Sequence, residues 1–435
     1  MAGDTRPDLL KLTAYPPELY TFLKELAVIP APSGCEERRA EFCLDYLIRH
    51  GVRQAYIDEA GNVCVPFGPV EDMPFDVYMA HSDVVFDDQT ELPLTEDGTW
   101  LACPGIADNT VHIAALIRYA IWLNDRGLYD NRLSELSELS ELFEHPDSRT
   151  DDETASGGPQ PFMFVINVGE EGLGNLKGSR AIVSRYGRRI RSLVTFDSVT
   201  REVVARAVGS VRWRITAETE GGHSFRDFGK PNAIVVLAGL IEKLTDALTH
   251  EMAALPKVPE EEEEKESGNE VIHATWNVGT IEGGTSVNTI AQNASMLFEC
   301  RSDDFETLAL MKKTVENTVA AYADQLKTEA IKAVIKTAVI GERPCMSGVD
   351  AAAFDSLICQ AERAIRDCFG EEPVRTSGST DANAALSQGI PAVCFGLCRG
   401  EGAHTRQERL RKDSLLPGLK AGWLFINRQE RLSEL

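Results

Sequence analysis

Four apolar runs in this chain end in acids or histidine. They are Asp76-Val77-Tyr78-Met79-Ala80-His81-Ser82-Asp83, Val165-Ile166-Asn167-Val168-Gly169-Glu170-Glu171 and Leu193-Val194-Thr195-Phe196-Asp197. The fourth, Pro391-Ala392-Val393-Cys394-Phe395-Gly396-Leu397, is followed shortly by His404. Imidazole and carboxylate gathered at one place are what a pair of divalent metals needs. His81 and Asp83, two apart at a strand end, project to the same face. Asp83 can fix the tautomer of His81, ligate, or cap a turn. Asp108, in Pro104-Gly105-Ile106-Ala107-Asp108-Asn109-Thr110, stands at the mouth of a helix. There it could give one oxygen to each metal, or serve as an ordinary helix cap.

Glu170 and Glu171 point in different directions, so one can ligate while the other faces a bound water. Two acids at a buried rim repel unless a cation is present. A solvated turn is the alternative, but Phe162-Met163-Phe164-Val165-Ile166 is too apolar for a surface edge. Asp108, Glu171 and Asp197 bring three negative charges against four from two divalent ions, and a bridging hydroxide makes the centre neutral. Such metals lie ~3.5–4 Å apart and lower the pKa of bound water to about 7. Glu170 is then the base that takes the water's proton and passes it to the leaving group. Gly172-Leu173-Gly174-Asn175-Leu176-Lys177-Gly178-Ser179 has the composition of a phosphate loop. Its lysine and glycines are in the wrong order, so it is read as the turn into a helix.

These residues need elements to carry them. Apolar, β-rich runs of this kind are buried parallel strands. Ligands in open α/β sheets bind beyond the carboxyl ends of such strands. Two helices are expected over 14–50 around Pro30-Ala31-Pro32-Ser33-Gly34, then a hairpin over 51–68 turning at Gly61-Asn62 and a helix over 109–126. From Val208 the character changes. Val211–Glu218 alternates, a helix follows (Ile234–Leu248), then strands at His273–Glu282 and Ala294–Arg301, a helix at Thr307–Gln325 and a strand at Ile331–Val339. That β-α-β-β-α-β order is a two-layer α+β domain inserted into a larger α/β one. The main domain resumes with a helix at Ala351–Phe369. The expected boundaries are 1–208 with 343–435, and 209–342. The Leu-Ser-Glu repeat over 133–142, within a polar stretch at 130–160, reads as a surface insertion.

The chain has 435 residues, 43% hydrophobic, enough for two domains. A formal charge of −24 argues against nucleic acid and anionic membranes as partners. The acidic run Glu260–Glu266 reads as a solvated loop. No signal peptide and no membrane-spanning stretch is seen at the sequence level. Ten scattered cysteines without a CxxC pair read as reduced thiols, hence a cytoplasmic protein.

The order HSD, PGIADN, GEEGLG, strand-end FD, GGH, GAHT resembles the co-catalytic zinc metallopeptidases. That family includes peptidase T, carboxypeptidase G, aminoacylase and succinyl-diaminopimelate desuccinylase. The resemblance covers nearly the whole chain, with 130–160 and 255–270 as insertions. It implies metal ligands at His81, Asp108, Glu171, Asp197 and His404, with Asp108 bridging. It also implies that Asp83 orients His81 and that Glu170 is the general base. The inserted domain then corresponds to the family's lid and dimerisation domain, giving a homodimer through 209–342. His223, in Glu220-Gly221-Gly222-His223-Ser224, matches a histidine presented to the partner's active site, where one oxyanion donor is worth ~3–4 kcal/mol. Read from its residues alone, it is an exposed loop histidine. Asn288 and Arg301 resemble substrate contacts, as does Gly378 in Ser377-Gly378-Ser379-Thr380-Asp381. For Arg301 the alternative is a strand-end ion pair with Asp303 or Asp304.

Asn109 follows Asp108 where many relatives carry a second aspartate, without removing a ligand. Asp at 197, rather than Glu, goes with aminopeptidases and dipeptidases in that family. The expectation is therefore a cytoplasmic two-zinc aminopeptidase acting on di- or tripeptides, with manganese or cobalt also suited to the donors. An N-acyl amino acid deacylase or carboxypeptidase with the same centre is the alternative within enzymes. A catalytically inactive peptide-binding homologue is the alternative outside them.

Overall fold

The computed structural model describes residues 9–127, 160–253 and 273–432, with the side chains of 428–432 excepted. The Leu-Ser-Glu repeat and the acidic run lie outside the described residues. The chain divides into two units: Met1–Ala205 with Gly348–Leu435, and Arg206–Ser347.

The first unit is built on an eight-stranded sheet. Its centre runs, in spatial order, Phe162–Asn167, Phe75–His81, Ile190–Phe196 and Ala392–Phe395, all parallel. These are the four runs singled out in the sequence. Every residue of Phe75–His81 and of Phe162–Asn167 is buried, so both faces of the sheet are covered. The flanks turn antiparallel. Val63–Phe67 pairs with Phe162–Asn167 and with Tyr56–Ile57, the expected hairpin turning at Gly61-Asn62. On the other side Glu202–Ala207 pairs with Ala392–Phe395.

Helix Val111–Asp125 packs on the central strands, as its almost unbroken burial requires. Helices Ala351–Phe369 and Leu415–Leu432 pack on each other. The Asp350 carboxylate caps the first of these by accepting the Ala353 N–H at 2.8 Å. A smaller four-stranded sheet, combining residues 95–102 with 400–411, was not anticipated. Its strands are only two or three residues long, too short to carry a period.

The second unit follows the expected β-α-β-β-α-β order. Strands Gly209–Thr219, Ala274–Gly283, Asn293–Ser302 and Ala333–Arg343 form one antiparallel sheet. Helices Ala233–Met252 and Phe305–Thr328 pack on it. The alternating burial of Gly209–Thr219 sends Val211, Trp213, Ile215 and Ala217 inward. They meet Leu237, Leu240, Leu244, Met311 and Val315 from the helices in one continuous core. Asn232 and Asp304 cap the two helices, accepting the N–H groups of Ile234 at 2.9 Å and Thr307 at 2.7 Å. Among the described residues no helix is long and apolar enough to cross a membrane.

Candidate metal centre

His81 is the last residue of its strand and is fully buried. Its Nδ1 lies 3.1 Å from the main-chain carbonyl of Asp83 and 3.5 Å from Asp83 Oδ1. Nδ1 thus carries a proton towards Asp83, and Nε2 is aimed away from it. Nε2 lies 3.0 Å from Asp108 Oδ1 and 3.9 Å from Asp197 Oδ1. The other oxygen, Asp108 Oδ2, lies 3.2 Å from His404 Nε2, which is 3.1 Å from Glu171 Oε1. Two three-residue groups therefore share Asp108: His81, Asp108 and Asp197, and Asp108, Glu171 and His404. A third group joins His81, Glu170 and Glu171.

Asp108 sits in a wide helical turn, Ile106–Thr110, where its own φ and ψ are −122° and 80° and the peptide to Asn109 is cis. It makes no helix cap. The helix behind it starts at Val111 without a side-chain cap, and both Asp108 oxygens face imidazoles. Glu408 shapes this turn: Oε1 accepts the N–H groups of Ala107 at 2.8 Å and Asp108 at 2.9 Å, and Oε2 that of Gly105 at 2.7 Å.

Glu170 and Glu171 leave the end of their strand through Gly169, whose φ of +68° favours glycine. Asp83 holds both from the side. Oδ1 accepts the Glu170 N–H at 3.0 Å, and Oδ2 accepts the Glu171 N–H at 2.7 Å and the Ser33 hydroxyl at 2.7 Å. Its charge is spent on these donors and on His81. Glu36, also buried, accepts the N–H groups of Gly34 at 2.8 Å and Gly169 at 3.0 Å. Gly174 and Gly178 after the acids serve close packing, in keeping with the turn expected there. A Cβ on Gly178 would meet Asn62 Oδ1 at 2.3 Å and the Val168 nitrogen at 2.6 Å.

The electrostatics of this group favour added positive charge. Burial pushes the Asp197 carboxyl up to about 7, helped by the neighbouring charges of Asp108 and Glu171. Burial alone would depress the His81 imidazole, but hydrogen bonds to Asp108 and Asp83 hold it well above its usual value. Hydrogen bonds to Asp108 and Glu171 push His404 up to about 11. Clustered acids thus draw protons onto both imidazoles and onto Asp197. Divalent cations would supply the same compensation, and two imidazoles with three carboxylates suit zinc, manganese or cobalt.

The remaining expected residues are placed as follows. Gly378 ends the strand Val374–Gly378 of the first unit, against the Val204 methyl groups. His223, Asn288 and Arg301 lie in the second unit. His223 is exposed on a two-residue strand paired with Thr289–Ile290. Its Nδ1 accepts the Phe225 N–H at 3.2 Å, which leaves Nε2 as the protonated, donating nitrogen. Asn288 is exposed and accepts the Ser286 hydroxyl at 2.7 Å. Arg301 pairs with neither Asp303 nor Asp304. Its Nε donates to Glu299 at 3.1 Å, two residues back along the same strand face. Asp303 instead meets Arg206 and His273, and Asp304 caps its helix.

The sequence reading missed Glu36, Arg39 and Glu408. Arg39 is fully buried and donates to the carbonyls of Ile29 and Ser82 and to the Thr110 hydroxyl. Only the position of Glu408, four residues after His404, offered a signal.

Residues 206–327 match the model of the peptidase dimerisation domain of the M20 family. A probable carboxypeptidase of Uncinocarpus reesii is 22% identical over 296 residues, 64% of this chain and 59% of that protein's length. Among solved structures, aminopeptidase PepT from Bacillus cereus covers 94% of this chain and 97% of its own, with a TM-score of 0.62 and 18% identity. The dipeptidase Dug1p from Saccharomyces cerevisiae covers 95% and 96%, with a TM-score of 0.68 and 16% identity. A dinuclear metal-binding peptidase of the M20 family from Bacillus subtilis covers 94% and 97%, with a TM-score of 0.54 and 17% identity. Residues 206–327 thus match the dimerisation domain of the M20 peptidases, and the fold is shared with solved M20 peptidases.

Proposed function

We propose that this protein is a two-metal hydrolase of short peptides, cleaving an N-terminal residue from di- or tripeptides. The observation that carries this is Asp108, with one oxygen turned to His81 and the other to His404. His81, Asp108 and Asp197 would hold one ion, and Asp108, Glu171 and His404 the other. Two such ions, when bound, acidify a water and polarise a carbonyl oxygen. Zinc is the proposed metal.

The chain's own residues would do the rest. Glu170, buried beside Glu171, has no need to ligate and takes the role of base. It removes the water's proton and returns it to the departing amine. Asp83 keeps the His81 imidazole in one tautomer and fixes the Glu170 and Glu171 backbone. His223, with Nε2 as a donor, suits the stabilisation of a developing oxyanion, and the family resemblance gives it that role across a homodimer. Asn288, Arg301 and Gly378 are proposed substrate contacts, Arg301 for a substrate carboxylate. Ten cysteines without a disulfide are in keeping with a cytoplasmic setting.

Asp197 favours the aminopeptidase side, as do the aminopeptidase and dipeptidase among its structural neighbours. The carboxypeptidase relative favours attack at the other end with the same centre. Mass spectrometry of zinc-loaded protein with free-amino di- and tripeptides, beside N-acyl and C-blocked versions, separates these. Loss of the N-terminal residue from free-amino substrates alone is expected. Release of an acyl group or a C-terminal residue would replace the aminopeptidase assignment with a deacylase or carboxypeptidase.

A further inference from the structure

Glu408 is 1% exposed and 300 residues distant from Asp108 in the chain, yet its carboxylate is the acceptor for three consecutive-turn amides. The N–H groups of Ala107 and Asp108 converge on Oε1, and that of Gly105 on Oε2. The Cys103 N–H adds a bond to the Glu408 carbonyl at 3.2 Å. Amide bonds to a carboxylate are charge-assisted, shorter and stronger than neutral ones. Burial pushes the Glu408 carboxyl up to about 7, and the bonds from the Asp108, Gly105 and Ala107 amides work against that to hold its charge.

The turn so held has one distinguishing side chain, Asp108. Four residues before Glu408 stands His404, whose Nε2 meets Asp108 Oδ2 at 3.2 Å. One short segment, 404–408, therefore touches Asp108 twice: at its backbone through Glu408, and at its far oxygen through His404. Among the described residues the Glu408 carboxylate hydrogen-bonds to main-chain amides and to no side chain of His81, Glu171 or Asp197. A rotation of the turn would move both Asp108 oxygens from their places opposite the two imidazoles.

We propose that Glu408 is a positioning residue, which sets the Asp108 carboxylate so that one oxygen faces His81 and the other His404, one in each proposed ligand group. The proposal deepens the function above and rests on the ligand set given there. A purely structural role, satisfying three amides before a helix, would cost stability alone. A positioning role changes how the ions are held.

Glu408→Gln separates the two. It matches glutamate in size, but its amide must turn an NH2 group against at least one of the three N–H donors. Titration calorimetry of metal-free protein with zinc should show two ions in the wild type and a 10–100-fold weaker second ion in the variant, as for other residues that orient ligands. The visible spectrum of the cobalt-loaded variant should also differ from that of the wild type. Wild-type affinities and an unchanged cobalt spectrum in Glu408→Gln would overturn the proposal. Fewer than two ions in the wild type would instead overturn the ligand set, and the clamp with it.

Hydrogen exchange on metal-free wild type tests the same point if the variant fails to fold. Peptides covering residues 103–109 should be protected before any metal is added. Fast exchange there, slowed only by zinc, would mean that the metal forms the turn and Glu408 does not.

Discussion

Asp83 Oδ1 accepts the main-chain N–H of Glu170 at 3.0 Å, while the same residue faces His81 Nδ1 through its carbonyl at 3.1 Å. The proposed base and a proposed ligand are thus registered by one residue, through its side chain and its main chain. Asp83→Asn keeps the size but loses the charge and sets an NH2 group against one of the Glu170 and Glu171 donors. Zinc affinity is expected to fall 10–100-fold, with turnover falling further because Glu170 is displaced as well. Calorimetry and tripeptide turnover on the same preparation would show this. Unchanged values in both would remove Asp83 from the machinery.

Removing the metal should loosen the first unit, which holds all five proposed ligands. A ligand that binds only the folded state stabilises it by about 2.7 kcal/mol at a hundred times its dissociation constant. Chelation is expected to lower the melting midpoint of that unit, and added zinc to restore it in proportion to the logarithm of concentration. A melt indifferent to chelator and zinc would contradict the ligand set.

Glu96 gathers Tyr20 at 2.8 Å, Lys24 at 3.0 Å and Lys412 at 3.0 Å, tying helix Pro17–Ala27 to the segment after residue 411. The hydrogen bonds from Lys412, Tyr20 and Lys24 lower its carboxyl from 4.5 to about 2. A depressed carboxyl stabilises the fold fully above its unfolded value, and that contribution is lost as pH falls from 4.5 towards 2. Exposed pairs of this kind are worth ~0.2–1 kcal/mol each. Glu96→Gln should therefore be less stable than the wild type at pH 6, and the difference should shrink by pH 3. A difference independent of pH would show that charge at Glu96 has no part in it.

What the sequence revealed follows from range. The four strand ends were legible because each apolar run is local and largely buried, and in three of them His81, Glu170 or Asp197 stands at the strand end or within three residues of it. The second unit was legible because its strands alternate, as Trp213 and Ile215 do, and its helices carry long apolar stripes. The clamps were not. Glu36 reaches Gly169 across 133 residues and Glu408 reaches Asp108 across 300, and no spacing announces such a bond. Arg301 shows the converse limit. Several acids lie within a few residues of it, and only strand geometry decides that Glu299 is the partner.

Hydrolysis of a free-amino tripeptide by zinc-loaded wild type, run beside Glu170→Gln with the zinc content of both measured, tests the central claim most directly. Both proteins should carry two ions per chain. The wild type should cleave, and the variant should turn over at least 10²-fold more slowly, the usual worth of a general base. Equal rates at equal zinc content would contradict Glu170 as the base. No cleavage of any peptide by the fully loaded wild type would contradict the peptidase assignment itself.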